Sequence, residues 1–203
     1  MHQYFLILLL WAGARVPCFG QPEAGFELVT ELDDVKVHVR PEAGEDLSIR
    51  VSTEAETTVA DLRVILDDAA GYPLWVHRCE EAYLLPGATE EGFTYYSRIN
   101  LPFPFSDREV VAAITQSVDP ETGVFVRHIH SRPDAVPPTK GAQRIRIYDA
   151  VWTLAPLPDG LVAISCQVRT AAGAGLPAWI RKEIMTGGPA KTVGNLVRLV
   201  QAR

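Results

Sequence analysis

The sequence predicts an α+β domain in which a curved antiparallel sheet wraps around one long C-terminal helix. Three observations lead there. Most of the chain between residues 27 and 170 reads as strands at near-hairpin spacing, with apolar and polar residues alternating. One short stretch, 57–70, switches to helical spacing. Residues 176–203 then end the chain in an amphipathic helix whose apolar stripe needs a covering surface. Strands and helices kept apart along a chain indicate α+β. The length, 203 residues, suits one domain with a sizeable core.

Residues 4–12 form an apolar run too short to span a bilayer, which takes about 20 residues. Cys18 and Gly20 place small residues at −3 and −1 of a cut before Gln21. We read residues 1–20 as a signal peptide and expect export to the periplasm or beyond. A start placed too far upstream is the other reading. Cys79 and Cys166 then remain. Export permits a disulfide between them; two small buried hydrophobes serve equally well, and both readings stay open.

Residues 27–40 read as a first strand, with Val35, Val37 and Val39 alternating against Lys36, His38 and Arg40. A polar turn with Gly44 leads to a second strand, where Leu47, Ile49 and Val51 alternate with serines and Arg50. Thr57 or Thr58 caps a helix carrying Val59, Leu62, Leu66 and Ala69. Asp67 and Asp68 are unfavourable at its C-terminus and read as a solvated end. Gly71 and Pro73 stop it. Strands follow at 75–85, 93–101, 110–118, 124–131, 143–154 and 161–170, separated by Gly- and Pro-containing turns. Such spacing means an antiparallel meander. In the last segment Pro177 suits the first turn of a helix. Val193, Leu196, Val197 and Val200 fall at i, i+3, i+4 and i+7, and Gly187-Gly188-Pro189 kinks or breaks the helix.

Composition excludes some partners. A formal charge of −6 without Lys/Arg clusters argues against nucleic acid and against electrostatic docking on anionic lipid. No Gly-x-Ser-x-Gly and no phosphate-cradling glycine loop is present. His128 and His130 share one strand face, but no third ligand stands at a suggestive spacing, so they read as a surface pair and no metal is expected. One face of the 93–101 strand carries Phe93, Tyr95, Ser97, Ile99 and Leu101. Val162, Ile164, Cys166 and Val168 share a face later, and Arg144, Arg146, Tyr148 and Trp152 another. Apolar faces with an occasional hydroxyl or charge suit a hydrophobic ligand with one polar end; they equally suit a packed core.

The segment LPFPFSDREVV (residues 101–111) resembles the motif of the START lipid-transfer domains, in which a strand ends in Pro-x-Pro and continues through Ser-x-Arg-Asp. Trp75 after the first helix, Arg144 or Arg146 opening the late strand that holds Trp152, and the Gly-rich lead-in 173–179 to the last helix follow in the family's order. The likeness spans about residues 26–203, and Glu109 replaces the usual Asp. It implies a helix-grip fold, a bound lipid or other apolar molecule under the C-terminal helix, no catalysis and no cofactor. Some sterol-carrying members hold a carboxylate–arginine pair in the tunnel; here Glu80 and Glu81 lie near the carboxylate position and Ile114 stands at the arginine position. Arg108 either pins the strand corner through Asp107 or Glu109 or faces the ligand. We take the first reading, because it follows a Pro-rich bend.

The expected ligand-binding residues are Trp75, Tyr95, Ile99, Ile114, Arg146, Tyr148, Trp152, Ile164, Trp179, Ile180, Ile184, Val193, Leu196 and Val197. The expected partners are a hydrophobic small molecule or lipid and, transiently, a membrane; the chain is expected to be a monomer. The alternative is an enzyme of the polyketide cyclase/aromatase kind on the same fold, using Tyr95, Arg146 and Tyr148. A third reading is an interaction domain with a filled core.

Overall fold

A computed structural model describes residues 25–43, 46–87, 89, 92–171, 173 and 175–203. The signal-peptide reading of 1–20 lies outside the described residues. The first strand of the sequence reading is two strands, β1 (Glu27–Leu32) and β2 (Val35–Pro41). They form a hairpin turning at Asp33 and Asp34, both at positive φ, 49° and 63°. A two-residue hairpin turn of this kind matches the twist of its strands. β2 pairs antiparallel with β3 (Leu47–Glu56), placing Val37 opposite Val51, and both are buried.

α1 (Val59–Asp67) follows. Thr58 is its cap: the hydroxyl oxygen accepts from the Asp61 amide at 3.1 Å. Leu62, Ile65 and Leu66 are buried. Asp68 is exposed, as expected of a solvated end, and Asp67 is half-buried, but both have partners. Asp67 pairs with the buried Arg127. Asp68 caps a 3₁₀ turn (Ala69–Leu74) by accepting from the Gly71 amide at 3.1 Å. That turn contains Pro73, and Arg78 at φ 60° completes the change of direction. The strand expected from residue 75 therefore starts only at Cys79, as β4 (Cys79–Leu84).

The chain returns through β5 (Gly92–Ile99), β6 (Asp107–Val118), β7 (Phe125–Ser131), β8 (Ala142–Arg144), β9 (Tyr148–Pro156) and β10 (Leu161–Thr170). The sheet order is β1-β2-β3-β10-β9-β7-β6-β5-β4, with β8 lying off this path, parallel to β6. The stretch containing α1 carries the chain from β3 to the far edge, and the meander brings it back until β10 pairs with β3. The strand expected over 143–154 breaks at 145–147 into β8 and β9.

The C-terminal segment is two helices, α2 (Ala178–Met185) and α3 (Gly187–Gln201), broken at Thr186 (φ −123°, ψ −68°). Pro189 falls in the first turn of α3, where no intrahelical amide bond is lost. Ala190, Val193, Leu196 and Val200 are buried on α3, which packs on β1, β2, β3 and α1. Asn195, on the other face, donates to the Trp75 carbonyl at 3.0 Å. Most apolar residues form one core. Leu101, Leu176 and Ile180 form a second, with Phe105 and Ile184 packed on it. No helix among the described residues is long and apolar enough to cross a membrane.

Candidate functional site

A pocket of about 250 Å³ lies between the concave face of the sheet and the two C-terminal helices. It sits between the main core and the smaller cluster, so its walls belong to two separately packed groups. β5 contributes Tyr95, Ser97 and Ile99, in the alternation the sequence shows. β10 contributes Cys166, Val168 and Thr170, and β9 Tyr148 and Trp152. The turn after α1 adds Tyr72 and Trp75. α2 adds Trp179, Ile180, Glu183 and Ile184, and α3 adds Thr192 and Val193.

Of the residues expected at the site, Trp75, Tyr95, Ile99, Tyr148, Trp152, Trp179, Ile180, Ile184 and Val193 border this pocket. Ile114, Ile164, Leu196 and Val197 do not. The first three are buried in the main core and Val197 packs against it. Periodicity places a side chain on a face, not at a depth along it. Arg146 is also off the pocket: it is exposed and pairs with Asp134 at 3.3 Å. The break at 145–147 explains this. It resets the alternation, so that Ile145 and Tyr148 both reach the pocket while Arg146 points away. His128 and His130 stack with ring centroids 6.3 Å apart and are exposed, as a surface pair. Among the described residues no three metal-ligating side chains converge.

Besides the exposed Arg78, two buried arginines border the pocket that sequence reasoning did not assign to it. Arg108 is 6% exposed, and its guanidinium donates to the Ser106 carbonyl at 3.1 Å. Burial lowers its affinity for its proton. The partners imagined for it face the other way. Asp107 accepts from Arg98 at 2.6 Å and from the Leu101 amide at 3.0 Å. Glu109, fully buried, accepts from Tyr96 at 3.0 Å, the Thr139 amide at 3.1 Å and Arg144 at 3.1 Å. Thus Asp107 and Glu109 tie the corner to Arg98, Leu101 and Arg144, and Arg108 holds it through the Ser106 carbonyl. Arg127 is 1% exposed. It donates to the Leu66 carbonyl at 2.6 Å and Gln116 at 2.7 Å, and pairs with Asp67. A sequence signal existed for both: Arg108 is in phase with Val110 and Ala112, and Arg127 with Phe125 and Ile129, all buried.

The phenol and thiol groups are held protonated. Burial pushes the Tyr95 hydroxyl well up, and it also raises that of Tyr148. Tyr72 is pushed up to about 12 by burial and donates to the Leu66 carbonyl at 3.0 Å. Burial takes the Cys166 thiol to about 12 and the Cys79 thiol to about 11. The two cysteines are free, not joined. Where α2 meets α3, Glu183 accepts from Lys191 at 2.8 Å and lies 3.3 Å from the His77 ring. Thr192 accepts from the His77 amide at 3.1 Å. Glu80 and Glu81 are exposed and do not border the pocket.

No family model matches the chain. An uncharacterised protein of Pseudomonas aeruginosa is 28% identical over 179 residues, 88% of each chain. Among solved structures, a STAR-related lipid transfer protein fragment from Xanthomonas axonopodis is 26% identical, with a TM-score of 0.75 over 87% of this chain and 99% of that one. Human StAR-related lipid transfer protein 5 superposes with a TM-score of 0.78 at 16% identity, over 90% of this chain and 89% of its own. Human STARD10 does so at 0.75 and 16%, over 89% and 75%. With one sheet closed on two C-terminal helices, and neighbours of this kind over nearly all the described length, the chain has the Bet v 1-like, helix-grip fold of the START-type lipid-transfer domains it resembles.

Proposed function

We propose that the protein, as a monomer, binds one hydrophobic ligand in the pocket beneath α2 and α3 and carries it between membranes without chemical change. The observation that carries this reading is the pocket's position between two separately packed apolar clusters. α2 and the 101–105 loop can part from the sheet at the cost of the small cluster, the Glu183 contacts to Lys191 and His77 and the Met185 packing, leaving the rest of the main core intact. The lipid-transfer relatives support the same reading.

Binding without turnover is supported by the lipid-transfer neighbours and by a largely aromatic and aliphatic lining in which Tyr95, Tyr148, Tyr72 and Cys166 hold their protons at neutral pH. A cyclase built on Arg146 lacks that residue at the pocket.

The membrane side of the proposal rests on Phe103, 96% exposed, and Trp179, 62% exposed. Both lie by the pocket: Pro102, beside Phe103, borders it, as Trp179 does, and Trp179 packs edge-on to Phe105 at 6.3 Å. Exposed aromatic side chains of this kind partition into the bilayer interface. With residues 1–20 read as a signal peptide, the proposed place of work is outside the cytoplasm; N-terminal sequencing of the exported chain checks the cut before Gln21.

The test is native mass spectrometry of protein isolated from its own compartment, compared with Val168→Trp, which fills the pocket from β10. The wild type should retain a hydrophobic ligand and the variant should lose it while keeping its circular dichroism. Equal retention by both would refute the placement. Phe103→Ser, at an exposed side chain off the pocket wall, should slow ligand transfer between neutral vesicles while leaving the bound amount unchanged.

A further inference from the structure

We infer that the rim of the pocket is a docking surface for a bilayer that carries anionic lipid, with Arg78, Arg181 and Lys182 meeting the head groups around Phe103 and Trp179. This deepens the proposed carrier function and rests on its membrane side. Three observations carry it.

The first is where the cations stand. Ile180 and Ile184 pack α2 into the small cluster. With 100° between successive residues, that turns Ala178, Arg181 and Lys182 outward, and all three are exposed. Trp179, exposed too, meets Phe105 of the 101–105 loop. Arg78, also exposed, borders the pocket just before β4. Its carbonyl accepts from the Asn100 amide at 2.9 Å, where the loop that carries Phe103 begins.

The second is pairing. Among the described residues none of these three cations makes an ion pair or a side-chain hydrogen bond. The acids near them are taken up by other bases. Glu183 accepts from Lys191 at 2.8 Å, Glu42 from Arg40 at 2.9 Å and Asp46 from Arg169 at 2.7 Å. Arg98 engages both Asp107 and Glu80, and Glu81 stands opposite Arg98 in the β4–β5 pair. The rim therefore keeps positive charge in a chain whose formal charge is −6. That net figure counts acids over the whole surface, whereas a bilayer reads mainly the charges within a Debye length, ~8 Å at physiological ionic strength.

The third is the company the cations keep. Phe103 and Trp179 project beside them into solvent. Aromatic rings settle at the boundary between head groups and acyl chains, with Lys and Arg held at the level of the phosphates. Each cation near an anionic surface adds to the attraction. A neutral bilayer uses the rings alone; an anionic one uses both.

The experiment is flotation of the full chain with two kinds of vesicle, phosphatidylcholine alone and phosphatidylcholine mixed with phosphatidylglycerol, at low and at high salt. Binding to the mixed vesicles should be roughly tenfold tighter or more, and high salt should remove most of the difference. Arg181→Gln with Lys182→Gln should weaken binding to the mixed vesicles by roughly thirtyfold, the loss of two cations at an anionic surface. Neither residue borders the pocket, so binding to phosphatidylcholine and the ligand retained in native mass spectrometry should stay unchanged. Arg132→Gln with Lys140→Gln, the same change of net charge on exposed side chains of the 132–141 loop, should alter little. Equal binding of the wild type to both kinds of vesicle, which requires no variant to fold, would overturn the inference while leaving the carrier reading standing. Equal weakening by the two double variants would do the same. A dimer that the Arg181→Gln, Lys182→Gln variant abolishes would assign the face to a second copy and overturn it. Failure to bind any vesicle would overturn both the inference and the membrane side of the carrier reading.

Discussion

Replacing Glu109 with Gln tests the cluster that turns Arg108 inward. Glu109 is fully buried and takes three donors at 3.0–3.1 Å, from Tyr96, Thr139 and Arg144. Glutamine keeps the shape, but it presents one acceptor oxygen instead of two and carries no charge. The Arg144 side chain, itself 5% exposed, then loses its anion. Breaking one partner of a buried pair costs about 3–5 kcal/mol. The Pro133, Val136 and Pro137 carbonyls also hold Arg144, so the lower end, about 3 kcal/mol, is expected. For a domain of this size that is a fall in Tm of roughly 6–12 °C. The pH dependence supplies a second readout. Burial alone would raise the Glu109 carboxyl, but the bonds from Thr139 and Tyr96 and the Arg144 charge together hold it below its ordinary 4.5. A depressed carboxyl stabilises the fold above its unfolded value, and that contribution is lost as pH falls through the folded value. Wild-type Tm should therefore drop as pH falls below about 4.5, and Glu109→Gln should show a smaller drop. Scanning calorimetry between pH 3 and 7 measures both. A Tm shift under about 2 °C, or identical acid limbs for the two proteins, would refute the reasoning.

Arg127→Leu should destabilise the fold by about 3 kcal/mol, because it takes the cation from Asp67, a donor from Gln116 and one of the two donors from the Leu66 carbonyl; a urea titration reads this as a lower midpoint at constant slope. Thr58→Ala should cost about 1 kcal/mol through loss of the α1 cap, measured in the same way. His77 is held below its ordinary 6.5, first by burial and then by Lys191 and Arg78 against the pull of Glu183. Its neutral form stabilises the fold above pH 6.5, and that contribution falls away on acidification through the folded value. Thermal melts of His77→Gln should thus show less loss between pH 7 and 5 than the wild type, with a ring-proton titration by NMR giving a midpoint below 6.5.

The sequence by itself determined the class of the fold, the two helical regions, and the break in the last one. Each of these follows from local periodicity and from Gly and Pro chemistry, which act within a few residues. It also placed Tyr95, Ile99, Trp152 and Val193 on inward faces, because alternation along a strand and stripes along a helix set the face. Tertiary structure alone decided depth and electrostatic partners. Ile114 and Ile164 lie on inward faces yet are buried in the core away from the pocket, while Arg146 was moved off its face by a three-residue break. Arg108 and Arg127 were legible only as charges in phase with apolar neighbours. Their partners come from elsewhere in the chain, Arg127's from 60 residues away in Asp67, and no local pattern records which acid will stand opposite which base. Proximity across a curved sheet is fixed by strand order and register, and those depend on how the whole chain closes.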